Sequence, residues 1–258
     1  MTAPPKQSVL SVADVSVRFG GLTAVSGASF DLNAGEICAL IGPNGAGKST
    51  LFNAITGFAR TASGRVFFGA SDITGKRPDA IARLGVRRTF QNGGVLKKLS
   101  ALENILTGLH CETERRIIGN ILRLPSAVAE ERSSIARAEE VLHDLGIAHL
   151  RNVKAEDLSS GQQRLVEIGR TLAQHSRLIL LDEPAVGLSA TDRANLGALL
   201  KRLAAGGVAI LLVEHVLELV MAVSDRIVVL NHGQMIASGT PEAVRNDPVV
   251  LEAYLGNK

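Results

Sequence analysis

The sequence predicts an α/β fold with a mostly parallel sheet, an N-terminal antiparallel β subdomain and an inserted α-helical subdomain. Three observations support this prediction. Residues 9–35 alternate apolar and polar side chains with the period of two that is typical of strands. Between about residues 95 and 175, apolar residues recur with helical spacing. Short apolar runs typical of buried parallel strands occur at Ile37–Ile41, Leu178–Leu181, Ala209–Val213 and Ile227–Leu230.

The composition excludes several classes of protein. With 258 residues, of which 46% are hydrophobic, the chain can bury a full core. A net charge of +3 and 3% aromatic residues argue against nucleic acid as a partner, because such proteins need a large basic field or stacking side chains. The longest apolar runs are far shorter than the roughly 20 residues of a membrane-spanning helix. Cys38 lies in an apolar strand, which predicts a buried thiol in a reducing compartment.

The first elements in the chain are an arm and a pair of strands. Residues 1–7 carry Pro4-Pro5 and no apolar core, so we expect a flexible N-terminal arm. The alternating segment that follows is interrupted at Gly20-Gly21 and ends at Ala34-Gly35. We therefore expect two antiparallel strands before the first buried strand.

A phosphate-binding loop follows the strand Ile37–Ile41. Residues 42–49 match the pattern G-x-x-x-x-G-K-S/T, and a helical run from Ser49 to Thr56 comes next. Glycines let successive backbone N–H groups surround an anion, and the helix adds its positive N-terminal end. Lys48 would reach the β- and γ-phosphates, and Ser49 would offer its hydroxyl to Mg²⁺. The predicted ligand is a nucleoside triphosphate, and its predicted contacts are Gly42, Pro43, Asn44, Gly45, Ala46, Gly47, Lys48, Ser49 and Thr50.

The helical region holds a second candidate anion site. One apolar stripe ends at Gly146, a residue type that often caps helix C-termini. Further on, the segment Leu158–Gln163 precedes another helical run, which would place Ser159 and Gly161 at a helix N-terminus. On its own, the Leu158–Gln163 pattern is also compatible with ordinary helix capping. The apolar stripe that ends at Gly146 consists of Ile135, Ala138, Leu142 and Leu145.

Two acidic residues follow the strand Leu178–Leu181, at the end where parallel strands present ligand-binding groups. Asp182 would hold Mg²⁺, directly or through water, and Glu183 would polarise the water that attacks the γ-phosphate. Paired acids after a strand can also cap the next helix. The phosphate loop upstream favours the catalytic interpretation.

In order and spacing, these motifs resemble the nucleotide-binding subunit of ATP-binding cassette (ABC) transporters over essentially the whole chain. The resemblance implies a P-loop NTPase core in a single nucleotide-binding domain at residues 8–258, with the helical subdomain inserted at about residues 95–175. It also implies ATP and Mg²⁺ as cofactors. Leu158–Gln162 stands where the family has its signature sequence, with Ser160 in place of the usual glycine. The signature residues expected to bind ATP are Ser159, Ser160, Gly161 and Gln162.

Three further residues gain a role only through the resemblance. Gln91, in Arg88-Thr-Phe-Gln91, matches the glutamine loop that senses Mg²⁺ and the attacking water. His215 matches the switch histidine that contacts the γ-phosphate. Phe19 matches the aromatic residue that stacks on adenine, although its strand pattern also allows a plain core role. The predicted catalytic residues are then Glu183, His215, Gln91 and Lys48, and the predicted metal ligands are Ser49, Gln91 and Asp182.

Two positions depart from the family pattern. Ser189 lies near the place where the family commonly has an aspartate in its dimer-crossing loop, and Val216 follows His215 where an aspartate is frequent. Neither position is required for phosphoryl transfer, so we expect hydrolysis to be retained. We expect the departures to affect the coupling between the two nucleotide sites of a dimer instead.

Finer features resemble the ATPase subunits of branched-chain amino acid importers. Relatives of that branch also import urea, amides and aromatic acids, so the sequence leaves the transported solute open. The implied partners are transmembrane permease subunits, a second ABC ATPase subunit, identical or related, and indirectly a periplasmic or extracellular solute-binding protein. The implied location is the cytoplasmic face of the plasma (inner) membrane. The matching segments are Phe19–Val25, Arg88–Asn92, Leu102–Asn104, Leu158–Arg164, Val213–His215 and Ala253–Gly256.

The resemblance also implies a mechanism that needs two cassettes. They would face each other head to tail, with ATP held by Lys48 and Ser49 of one copy and by Ser159 and Gly161 of the other. ATP would thus act first as a bridging ligand that favours the closed dimer. Hydrolysis would then remove the bridge.

Three alternative functions stay open. The ATPase of a lipid or lipopolysaccharide exporter has the same catalytic motifs. A soluble cassette protein of ribosomes or DNA repair usually carries tandem cassettes or a long coiled coil, and the sequence shows neither pattern. A nucleotide-gated module without catalysis would be expected to lose Glu183 or His215, and both residues are present.

Overall fold

The structure, a computed structural model, describes residues 8–89, 94–113 and 125–255. The predictions for Gln91 and for the arm at residues 1–7 fall outside these ranges. The described residues form two compact units, drawn from Met1–Arg88, Ser176–Glu183 and Leu200–Lys258 for the first and from Thr89–His175 and Pro184–Leu199 for the second. The expectation of a single domain at residues 8–258 stays a prediction.

The elements are numbered in chain order. The strands are β1 (Ser8–Phe19), β2 (Leu22–Asn33), β3 (Ile37–Ile41), β4 (Ser63–Phe68), β5 (Ser71–Asp72), β6 (Val86–Arg88), β7 (Leu178–Asp182), β8 (Ala209–Val213), β9 (Arg226–Asn231) and β10 (Gln234–Gly239). The helices are α1 (Lys48–Ile55), α2 (Pro78–Arg83), α3 (Ala101–Thr113), α4 (Pro125–Asp144), α5 (Ser160–Leu172), α6 (Ala190–Ala205), α7 (Leu217–Val223), α8 (Pro241–Arg245) and α9 (Pro248–Leu255). Of the helices in the described ranges, none is both long and apolar enough to cross a membrane.

The strands of the described residues form two sheets, both within the first unit. A four-stranded antiparallel sheet has the order β2-β1-β4-β5, which confirms the predicted N-terminal antiparallel pair. A six-stranded sheet has the order β10-β9-β3-β8-β7-β6, and only its edge pair β9–β10 is antiparallel. The four predicted parallel strands are β9, β3, β8 and β7, so the predicted α/β fold is confirmed.

The edge strands of the six-stranded sheet lack the apolar runs that predict strands. β6 has only three residues, and β10 has no fully buried side chain. By contrast, every residue of β3, β7 and β8 is buried, as expected for parallel strands covered on both faces. Sequence periodicity therefore identifies the centre of the sheet and misses its edges.

One hydrophobic core joins the phosphate-loop helix to the sheets. Leu51, Phe52 and Ile55 of α1 are buried in the same cluster as Leu40 of β3. Each such side chain contributes about 1.5–3 kcal/mol when it is removed from water. Cys38 lies in this cluster too, and burial raises the pKa of its thiol to about 12, which confirms the predicted buried thiol. The start of α1 is thus held by packing against the sheet.

The helices α3, α4 and α5 belong to the second unit, in the region predicted to be helical. Ala138, Leu142 and Leu145 of the predicted stripe are buried, and Gly146 follows the end of α4 with a φ of 73°. At Gly169 in α5, an added Cβ would lie only 3.0 Å from Ile105 Cδ1 and 3.2 Å from Leu145 Cδ1. The absence of a side chain at that position allows α3 and α5 to approach closely.

A partly buried ion pair links the turn before β3 to the start of β9. Glu36 Oε1 lies 2.7 Å from Arg226 Nε, and Glu36 Oε2 accepts hydrogen bonds from the backbone and side-chain amides of Asn33, both at 2.8 Å. Burial by itself raises the pKa of the Glu36 carboxyl, but Arg226 and Asn33 outweigh it and hold that pKa below its usual value. The charged form of Glu36 is therefore favoured in the folded protein.

Replacing this carboxylate should make stability less dependent on pH. Because the pKa of Glu36 is depressed on folding, its stabilisation is present above the unfolded pKa of about 4.3 and is lost as pH falls through the folded pKa. We expect Glu36→Gln to lower the free energy of unfolding by about 1–3 kcal/mol at pH 7 and by less at pH 3.5, which lies below the unfolded pKa, measured by urea denaturation. Glu252→Gln, at an exposed position, is the control with an expected effect below about 0.5 kcal/mol. An equal loss at both pH values would contradict the assignment.

Candidate nucleotide-binding site

The predicted phosphate loop lies between β3 and α1, and α1 begins at Lys48, one residue before the predicted start. Gly42, Gly45 and Gly47 have φ values of 149°, 78° and 100°. An added Cβ at Gly42 would lie 2.1 Å from the carbonyl oxygen of Leu230, and one at Gly47 would lie 2.5 Å from that of Ala24. Both glycines are therefore required by space as well as by backbone conformation. The loop is therefore a cradle formed by backbone atoms, and side chains at Gly42 and Gly47 would collide with neighbouring backbone atoms.

A turn between β9 and β10 supports the cradle. The backbone N–H of Gly233 donates to the carbonyl of Ala46 at 3.0 Å, and the backbone N–H of Ser26 donates to the carbonyl of Gly233 at 2.8 Å. His232 and Gly233 both have positive φ, at 46° and 78°. Sequence reasoning assigns nothing to His232. The available signal was a histidine–glycine pair shortly after the apolar run Ile227–Leu230, which is compatible with a tight turn.

Lys48 is buried under the cradle, with 8% of its surface exposed. Its Nζ donates to the carbonyl oxygens of Gly42 at 2.8 Å and Pro43 at 2.9 Å. Burial lowers the pKa of Lys48, and the negative charges of Glu183 and Asp182 oppose that change. The ammonium group therefore lies within electrostatic reach of both predicted acids. Around it, Asn44, Gly45 and Ser49 are exposed, Pro43, Gly47 and Thr50 are partly exposed, and Ala46 is buried.

The two acids after Leu181 differ sharply in environment. Asp182 is the last residue of β7 and is 2% exposed, whereas the side chain of Glu183 is 37% exposed. Glu183 has a φ of 47°, a left-handed conformation that costs a non-glycine residue about 1–3 kcal/mol. Its backbone N–H donates to the carbonyl of Val213 at 2.8 Å, which anchors this conformation on β8. The structure thus separates a buried carboxylate from a partly exposed one.

His215 follows β8 and completes the group. Its side chain is 57% exposed, and its Nδ1 lies 3.8 Å from Glu183 Oε1. Because β3, β8 and β7 are neighbours in the sheet, the residues that follow them meet at one end. Lys48, Asp182, Glu183 and His215 are therefore brought together.

The donor set fits a magnesium ion bound together with phosphates. Within the described ranges there is no cluster of three His, Cys, Asp or Glu side chains that could hold a metal ion by itself. Mg²⁺ usually takes one or two carboxylates plus phosphate oxygens and water, rather than a cage of protein ligands. The buried carboxylate of Asp182, near Lys48 at the cradle, is an oxygen ligand of that kind.

The predicted signature lies in the second unit and has the predicted position at a helix N-terminus. Ser159 is the N-cap of α5: its Oγ accepts the backbone N–H of Gln162 at 3.3 Å, and Gln162 Oε1 accepts the backbone N–H of Ser159 at 2.9 Å. Ser159 and Ser160 are exposed. An added Cβ at Gly161 would lie 2.9 Å from the carbonyl oxygen of Gly187, so glycine permits a close backbone approach. The N-terminus of α5 is accessible to an anion.

Two other predicted positions are described and one is not. Phe19, the last residue of β1, is 56% exposed, which makes the alternative core role wrong. Ser189 Oγ accepts the backbone N–H of Asp192 at 3.1 Å, so it caps the start of α6. Gln91 lies outside the described residues, and its role stays a prediction.

A glycine-lined cradle, a buried lysine and an acid pair at the end of a parallel sheet define the chain as a P-loop nucleotide-binding protein. A sequence profile described as ABC transporter matches residues 25–186, and one described as branched-chain amino acid ATP-binding cassette transporter matches residues 234–258. The chain belongs to the ABC transporter family and contains the ATP-binding domain of that family. This domain implies ATPase activity. The resemblance found from the sequence is thereby confirmed.

Individual relatives agree with this assignment. The high-affinity branched-chain amino acid transport ATP-binding protein BraF of Pseudomonas aeruginosa is 39% identical over 249 residues, which cover 96% of this chain and 98% of BraF. LivG of Escherichia coli, which has the same descriptive name, is 39% identical over 251 residues, covering 97% of this chain and 98% of LivG. The crystal structure of the ADP conformation of MJ1267, an ATP-binding cassette of an ABC transporter, has a TM-score of 0.82 at 36% identity and covers 97% of this chain and 99% of that one.

Proposed function

We propose that this chain is the ATP-binding and ATP-hydrolysing subunit that powers an ABC importer for branched-chain amino acids or related small amides and acids. One observation carries the catalytic part: Lys48, Glu183 and His215 converge at the ends of three neighbouring strands, beside the glycine cradle. The names of BraF and LivG and the match at residues 234–258 support the solute class.

The proposed roles follow from the burial and reach of each group. Lys48 would exchange its bonds to the loop carbonyls for bonds to the β- and γ-phosphates, since a phosphate is the stronger acceptor. Glu183, partly exposed beside the imidazole of His215, would accept the proton of the attacking water, and His215 would contact the γ-phosphate. Mg²⁺ would be held by Ser49, Asp182 and Gln91 and would supply positive charge at the phosphates.

The proposed active unit is a dimer of cassettes. Ser159, Ser160, Gly161 and Gln162 would bind the ATP held by the phosphate loop of a second ATPase subunit, identical or related. The exposed N-terminus of the 13-residue helix α5 supports this role, because helix N-termini attract anions. Phe19, exposed at the end of β1, would stack on the adenine. ATP then closes the dimer by binding the closed form better than the open one.

The proposed partners follow from the proposed import function. Closure of the ATPase dimer would be transmitted to transmembrane permease subunits. A periplasmic or extracellular solute-binding protein would act indirectly, through those subunits. The chain would lie peripherally at the cytoplasmic face of the plasma (inner) membrane. A lipid or lipopolysaccharide exporter remains the alternative, since the catalytic groups do not encode direction.

Transport in reconstituted vesicles tests the proposal. The native complex is purified with its membrane partners, placed in proteoliposomes with ATP and Mg²⁺ on the ATPase side, and given labelled leucine, isoleucine or valine together with the solute-binding protein. We expect accumulation of at least one of these amino acids, and its loss when Mg²⁺ is chelated. ATP hydrolysis without movement of any of them, with lipid flipping instead, would support the exporter.

A further inference from the structure

A buried glutamate controls the turn that presents His215. Glu214 follows the last residue of β8, and its side chain is completely buried, whereas the side chain of its neighbour His215 is 57% exposed. Glu214 Oε2 accepts the backbone N–H of His215 at 2.8 Å and that of Val216 at 2.9 Å. One carboxylate oxygen therefore holds two successive backbone amides in a fixed turn.

These amides precede helix α7 and need a partner. Val216 is the N-cap residue of α7, and its side chain makes no capping hydrogen bond. The first N–H groups of a helix have no partner within the helix, and a buried backbone donor left unsatisfied costs about 1–3 kcal/mol. Glu214 satisfies the N–H groups of His215 and Val216, the two residues immediately before the first helical residue, Leu217. Hydrogen bonds to a charged acceptor are also the stronger kind.

The same turn sets the distance between the imidazole and the partly exposed acid. His215 Nδ1 lies 3.8 Å from Glu183 Oε1 and 3.9 Å from Glu214 Oε2. The backbone N–H of Glu183 is itself bonded to the carbonyl of Val213. Three hydrogen bonds thus determine where His215 stands relative to Glu183. Two are accepted by Glu214, and the third joins the backbones of Glu183 and Val213.

We propose that Glu214 is a positioning residue for His215: its buried carboxylate holds the turn that directs the imidazole toward Glu183 and the bound γ-phosphate. This inference rests on the role proposed above for His215. Sequence reasoning passes over Glu214, because a single acid inside the motif Val213-Glu-His215 carries no periodic or spacing signal.

Single-turnover ATP hydrolysis by variants tests the inference. Glu214→Met keeps the side-chain volume and removes the acceptor, whereas Glu214→Gln keeps an oxygen that can accept both N–H groups. We expect the Met variant to lose tenfold or more in rate while its ATP dissociation constant stays within twofold of wild type, and the Gln variant to stay within threefold in rate. On a His215→Ala background, adding Glu214→Met should change the rate less than twofold, because the group that it positions is already gone.

The results separate this inference from the proposed function. If His215→Ala hydrolyses ATP at the wild-type rate, the role proposed for His215 is wrong and the inference falls with it. If His215→Ala is slow but Glu214→Met is as fast as wild type, or slows both backgrounds by the same factor, the inference alone is wrong. A Gln variant as slow as the Met variant would also overturn it. Should Glu214→Met not fold, Glu214→Thr, whose hydroxyl replaces only one of the two bonds, is judged by the same criteria.

Discussion

Glu183→Gln is expected to slow ATP hydrolysis by about 10²–10⁴-fold while ATP binding is retained. The substitution leaves the shape of the side chain and the anchoring bond from its backbone N–H to Val213 unchanged. It removes the carboxylate that would accept a proton from water, 3.8 Å from the imidazole of His215. Since Lys48 and the cradle still bind the phosphates, ATP should persist and hold two cassettes together.

The measurements are the steady-state rate, the ATP dissociation constant and the fraction of dimer in ATP by size-exclusion chromatography. Glu242→Gln, an exposed carboxylate in the first turn of α8, makes the same chemical change away from the site and should keep the wild-type rate. Hydrolysis by Glu183→Gln at nearly the wild-type rate would refute the assignment of the base. A slow variant that also fails to bind ATP would point to a structural role for the carboxylate.

Lys48→Ala should weaken ATP binding by roughly 10- to 100-fold, the equivalent of one lost charge-assisted hydrogen bond of about 1.5–3 kcal/mol. Lys48 is almost fully buried, so the alanine also leaves a cavity. Lys48→Met keeps most of the volume and removes only the charge and the donors. We therefore expect both variants to bind ATP weakly and the methionine variant to be the more stable of the two.

Isothermal titration calorimetry with Mg-ATP gives the affinities, and thermal unfolding gives the stabilities. Lys201→Ala, an exposed lysine of α6, removes an equal charge elsewhere and should bind ATP with unchanged affinity. Wild-type affinity in Lys48→Met would show that the phosphates do not rely on this ammonium group.

Some parts of the site could be predicted because they depend on local sequence. The cradle needs glycine at positions where the backbone has positive φ or touches another backbone, and Gly42 and Gly47 meet both conditions. The start of the helix at Ser160 is predicted by the N-cap residue Ser159 and by Gln162 three residues later. Asp182 and Glu183 are found because they end a fully apolar run.

Other parts could not be predicted, because they depend on contacts between distant segments. The support of the cradle by Gly233 and Ser26 joins residues that are far apart in the chain. The left-handed conformation of Glu183 depends on β8, through the carbonyl of Val213. Short or half-buried strands such as β5, β6 and β10 have no periodic signal of their own and form only against a neighbour.

The sequence by itself determined the class of ligand, the central strands and the family, because glycine geometry, apolar periodicity and helix capping are local properties of the chain. Only the tertiary structure decided the order of the strands, the burial of Asp182 and Glu214 against the exposure of Glu183 and His215, and the distance between the acid and the imidazole. Those features follow from hydrogen bonds and packing between segments, which no local pattern encodes.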